Sequence, residues 1–126
     1  METINVKATD DTPKVTLDAQ NNVLLIAGRS LPENIEEFYQ PIMDWLDEYS
    51  QEPNPETIFT FKMDYFNTLS HKAIFFLVMT LKKIHDAGRN VVVEWYFNEE
   101  DEDTREAGHE LERVSKIPFT HVPYRD

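Results

Sequence analysis

Between Asp64 and Gly88 an apolar strand passes through a short polar link into an apolar helix. That succession restricts the chain to folds in which sheet and helix alternate. Upstream, Thr57 to Asp64 alternates, with Phe59, Phe61 and Met63 on one side and Thr60, Lys62 and Asp64 on the other. In the link, Asn67, Thr68 and Ser70 are all residue types whose side-chain oxygen accepts from the free N–H groups of a first helical turn. Ala73, Leu77, Leu81 and Ile84 then recur at helical spacing, giving one apolar face. Phe75, Phe76 and Val78 broaden it, which predicts burial on more than one side. Lys82, Lys83 and His85 occupy the last turns, where cations meet the negative end of the helix dipole. Gly88 is placed to end the helix in the left-handed conformation. A hydroxyl at such a helix N-terminus receives phosphate well; the plainer reading makes Thr68 or Ser70 only a cap.

The flanking segments extend the alternation. Ile4, Val6 and Ala8 predict a short edge strand, broken at Thr12-Pro13. Val15 and Leu17 lead to Asn21-Asn22, a pair that tolerates positive φ in a hairpin turn. Val23 to Gly28 is an almost continuous apolar run, which predicts an interior strand covered on both faces. Ser30 or Asn34 caps the next helix, and Ile35, Phe38, Ile42, Trp45, Leu46 and Tyr49 form its apolar stripe, with Pro41 expected to kink it. Val91 to Phe97 is β-branched and aromatic, a strand. Asp103, with Glu106 in the reciprocal position, is expected to cap a third helix whose inward residues are Ala107, Leu111 and Val114. Phe119 to Val122 makes a last strand. The expected fold class is therefore α/β: a mixed sheet with an N-terminal hairpin and about three crossover helices. Residues 1–126 are one domain's worth of chain.

Charge narrows the partners. Twelve basic residues against twenty-four acidic ones leave a formal charge of −12. That field repels phosphate backbones and anionic lipid, so no nucleic acid is expected as a partner, and no membrane insertion is expected either. No apolar run is long enough to span a bilayer, the N-terminus has no signal-peptide pattern, and there is no cysteine. These features fit a cytoplasmic protein.

Site chemistry is sparse. Asp64, Ser70 and His71 carry the letters of a hydrolytic triad, yet adjacent helical residues point about 100° apart and cannot line up. No nucleophile elbow and no phosphate-cradling glycine loop is present. His109-Glu110-Leu111-Glu112-Arg113 lacks the second histidine of the zinc-protease pattern, and the four histidines sit on separate segments. No catalytic residue, metal site or cofactor is expected. The run Glu99, Glu100, Asp101, Glu102, Asp103 has oxygen ligands for Mg²⁺ or Ca²⁺ but no EF-hand spacing. It reads as a solvated loop with a helix cap, or as an acidic docking loop for a basic partner surface.

Three stretches together resemble one family. They are Gly28-Arg29-Ser30-Leu31-Pro32-Glu33-Asn34, Tyr65 through Ala73, and Trp95 through Asp103, in matching order and spacing over nearly the whole chain. The resemblance is to the SiaC family of bacterial regulatory phosphoproteins. It implies a STAS-like fold, similar to anti-sigma factor antagonists. It also implies a non-enzymatic switch phosphorylated on Thr68 by a cognate kinase and released by a PP2C-type phosphatase. The unphosphorylated form would bind and activate a diguanylate cyclase, placing the chain in c-di-GMP and biofilm control. Tyr65, Phe66, Asn67, Leu69, Ser70 and Lys72 would surround the site, with Lys72 meeting the phosphate. Alternatives are a partner-switching adaptor with another output target, or a small-molecule-binding domain.

Overall fold

The computed structural model describes residues 1–125. Strands β1 (Ile4–Val6), β2 (Lys14–Asp18), β3 (Val23–Ser30), β4 (Glu56–Phe66), β5 (Asn90–Asn98) and β6 (Phe119–Tyr124) form one sheet in chain order. β1, β2 and β3 are antiparallel neighbours, and β3 through β6 run parallel. Helices α1 (Ile35–Tyr49), α2 (Thr68–Asp86) and α3 (Glu102–Ser115) supply the three parallel crossovers. Each crossover steps to the next strand in the same direction. With the usual right-handed connection, all three helices then fall on one face of the sheet, where α2 packs between α1 and α3.

This one-sided layering explains the burial. Val15, Leu17, Leu24, Ile26, Phe59, Phe61, Met63, Val93 and Trp95 face the helices and form the core with Ile42, Leu46, Ile74, Leu77 and Leu81. Leu25 and Ala27 on the opposite face are only half-buried, so β3 is covered on one side and not, as its apolar run predicts, on both. Thr60, Lys62, Glu94 and Tyr96 share that open face; Thr60 donates to Glu94 Oε1 at 2.9 Å.

The hairpin turn has Asn22 at φ 55°, and Gly88 lies at φ 91° just beyond α2. Asn34 caps α1, accepting from the Glu37 N–H at 3.0 Å, and the helix runs through Pro41 to Tyr49. Ser30 caps nothing: it ends β3 and is fully buried. Asp101, not Asp103, caps α3, accepting from the Thr104 N–H at 3.0 Å and from its hydroxyl at 2.7 Å. The helix therefore starts earlier than expected; Thr104, Gly108, Leu111 and Ser115 face inward, and Val114 is exposed. The small residues on that face let α3 approach Trp95, whose indole N–H donates to the Thr104 carbonyl at 2.9 Å. Phe76 of α2 is 47% exposed, so the broad apolar face of this helix is buried only in part.

Candidate functional site

The three stretches that carry the family resemblance meet at the C-terminal ends of β3, β4 and β5. In a parallel sheet this is the end at which loops and helix N-termini gather. The β3–β4 register shifts here: Gly28 pairs with Met63 but Arg29 with Tyr65, so Asp64 is the extra residue of a bulge. Gly28 takes φ +118°, a conformation that L side chains rarely adopt. Beyond the bulge, Ser30 pairs with Phe66 and lies beneath the first turn of α2.

Ser30 pins that turn. Its carbonyl accepts from the Asn67 N–H at 3.1 Å and from the Ser70 hydroxyl at 2.9 Å. Its own hydroxyl donates to Ser70 Oγ at 2.8 Å and lies 2.6 Å from the Tyr39 hydroxyl. With both serine protons committed, Tyr39 must be the donor to Ser30. Burial pushes the Tyr39 phenol up from its ordinary value, and the neighbouring Ser30 and Ser70 hydroxyls pull it only partly back, so it keeps that proton. The chain Tyr39–Ser30–Ser70 thus ties α1, β3 and α2 together, and every hydroxyl in it is satisfied.

Asn67 is the cap of α2, its Oδ1 accepting from the Ser70 N–H at 2.9 Å. Thr68 is the first helical residue and is exposed; Ser70 is fully buried. Phe66 stacks on His71 with ring centroids 5.8 Å apart and meets Trp95 edge-on at 6.2 Å. Tyr65 and Leu69 are 47% and 59% exposed, and Arg29 lies over the Tyr65 ring, 5.5 Å from its centroid. Lys72 is exposed and lines a groove of about 300 Å³ between α1 and α2, with Ile35, Met43, Leu69 and Phe76. Its ammonium lies 6.0 Å from the Phe76 ring centroid.

Thr68 opens on a different cleft, of about 530 Å³, between the start of α2 and α3. Asn67 and His71 line it from one side, and Asp103, Glu106 and Glu110 from the other. The acidic run therefore divides. Glu99 pairs with Arg125, Asp101 is committed as the cap of α3, Glu100 and Glu102 are exposed, and Asp103 reaches the cleft of Thr68. The triad letters do not assemble: Ser70 is bound to Ser30, His71 stacks on Phe66, and Asp64 accepts from the Tyr124 hydroxyl at 3.1 Å. Among the described residues no helix is long and apolar enough to cross a membrane.

Local sequence read Ser30 and Glu106 only as capping residues and passed over Tyr39 and Glu110: the roles of Ser30 and Tyr39 depend on contacts between distant segments, and Glu106 and Glu110 enter the cleft through the placement of α3.

Comparison with known proteins identifies the family. The family model described as SiaC family regulatory phosphoprotein matches residues 6–124. An uncharacterised Pseudomonas aeruginosa protein, PA14_02130, is 27% identical over 119 residues, covering 94% of each chain. The crystal structure of apo-SiaC from Pseudomonas aeruginosa is similar with a TM-score of 0.89 at 25% identity, covering 97% of this chain and 99% of that one. SiaC from the same organism, in complex with the diguanylate cyclase SiaD that it activates, is similar with a TM-score of 0.89 at 26% identity, covering 96% and 99%. The chain belongs to the SiaC family of regulatory phosphoproteins.

Proposed function

We propose that this chain is a non-catalytic signalling switch, reversibly phosphorylated on Thr68, whose unmodified form binds and activates a diguanylate cyclase. The observation that carries the reading is the contrast at the first turn of α2: Thr68 is exposed, whereas Ser70 is sealed beneath it. A kinase can take the Thr68 hydroxyl without unfolding anything; reaching Ser70 would require breaking its bonds to Ser30. The cyclase as output is supported by the similar SiaC solved with the cyclase it activates. A cognate kinase and a PP2C-type phosphatase would write and erase the mark in the cytoplasm.

The phosphate would add about −1.5 to −2 charge and three strong acceptor oxygens. The helix dipole tolerates it, but the cleft beside it presents Asp103, Glu106 and Glu110. These carboxylates turn the new charge outward, toward whatever covers Tyr65, Thr68 and Leu69. A partner packed there must desolvate a dianion, and without an arginine opposite it that costs several kcal/mol. A penalty of about 2.7 kcal/mol is already a hundredfold loss of affinity. Unmodified protein therefore binds, and phosphorylated protein releases. Phosphosite mapping by mass spectrometry after incubation with the cognate kinase and ATP tests the site. Phosphate on Thr68 is the expected product; phosphate on Ser70 with Thr68 unmodified would overturn the assignment.

A further inference from the structure

We propose that His109, Glu112 and His121 form a binding site for a borderline-soft divalent metal ion of the zinc type, on the side of α3 that packs against β6. His109 and Glu112 are three residues apart and share one helical face. β6 runs beside it and places His121 level with Trp95. The two imidazoles lie face to face, with centroids 4.0 Å apart and planes 25° from parallel. His121 Nε2 is 2.8 Å from Glu112 Oε1, and the second carboxylate oxygen accepts from the Phe119 N–H at 2.9 Å. One donor atom from each of the three side chains lies within 4.8 Å of the others.

Two features point to a metal beyond this proximity. Two imidazole nitrogens and one carboxylate oxygen are the donor set of three-ligand zinc sites that keep a fourth position for water. The set suits late divalent metals and not Mg²⁺ or Ca²⁺, which take oxygen. The carboxylate is already oriented by the Phe119 N–H, as a ligand's outer partner would orient it. Tetrahedral zinc with Zn–N near 2.1 Å wants ligand atoms about 3.4 Å apart. His109 is exposed, so its rotation can close that gap while leaving an open path from solvent.

The test is titration of the untagged full chain with ZnCl₂ by calorimetry, with Co²⁺ absorption to report the ligand field. One equivalent of Zn²⁺ should bind, MgCl₂ should not, and Co²⁺ should show visible d–d bands. His109→Ala removes an exposed ligand without touching the core and should weaken Zn²⁺ binding by at least about tenfold. Glu112→Gln should weaken it too, while His85→Ala should not. Absence of Zn²⁺ uptake, or equal affinity in wild type and His109→Ala, would overturn the site and leave the His121–Glu112 pair as a tether of β6 to α3.

Discussion

Thr68 and Ser70 stand two residues apart on the first turn of α2 and face opposite environments: Thr68 is exposed, and Ser70 is fully buried against Ser30. Two residues along a helix turn the side chain by about 200°, so one hydroxyl reaches solvent while the other fixes the turn that presents it. Local residue preference treats the two alike; the packing of β3 under α2 separates them.

Because Asn67 holds the cap, Thr68→Ala should change stability by no more than about 0.5 kcal/mol, as for an ordinary surface position. Asn67→Ala should cost about 0.5–2 kcal/mol. Urea melts of both variants decide it, and a larger loss for Thr68→Ala would mean that the threonine is structural.

Ser70→Ala leaves the Ser30 hydroxyl proton without its acceptor in a buried site. The expected loss is about 1–3 kcal/mol, the range for an unsatisfied buried group. Chemical denaturation should also show that Ser70→Ala falls well below Thr68→Ala in midpoint.

A Cβ at Gly108 would stand 2.4 Å from Trp95 Cδ1. The tryptophan is fully buried and its indole N–H is bound to Thr104, so it cannot step aside freely. Gly108→Ala should destabilise by about 1–3 kcal/mol through overpacking, despite the better helix propensity of alanine. Tryptophan fluorescence during urea unfolding reads both the loss and the shifted indole. A neutral or stabilising outcome would show that α3 moves off the sheet easily.

Burial is the largest influence on the Glu112 carboxyl and raises it, but the hydrogen bonds from His121 and the Phe119 N–H and the nearby histidine charges together hold it below 4.5. A depressed carboxylate contributes stability above its unfolded value and loses it as pH falls through the folded one. Wild type should therefore lose more stability than Glu112→Gln as the pH drops below about 4.5, read as urea midpoints at successive pH values in the absence of metal. Parallel pH profiles would contradict the pairing.

Strand and helix order was legible because β4, α2 and β5 carry strong periods of their own, and the Asn34 cap, Asn22 turn and Gly88 terminus are local chemistry. Other features depend on distance in the chain. The half-covered β3 follows from three crossovers stepping the same way, which no single apolar run encodes. In the acidic run several residues can cap a helix, and Asp101 is the one that does; Val114 faces water because α3 sets Thr104 and Gly108 against Trp95. The Ser30–Ser70 bond spans forty residues, and His109 meets His121 only because α3 and β6 pack together.

In the proposed switch, phosphate on Thr68 controls a partner and not the fold. The most direct measurement is calorimetry of the unmodified and Thr68-phosphorylated protein against a diguanylate cyclase from the same cell. The unmodified form should bind, and phosphorylation should weaken binding at least about a hundredfold, a difference of about 2.7 kcal/mol. Equal or tighter binding by the phosphorylated form would contradict it.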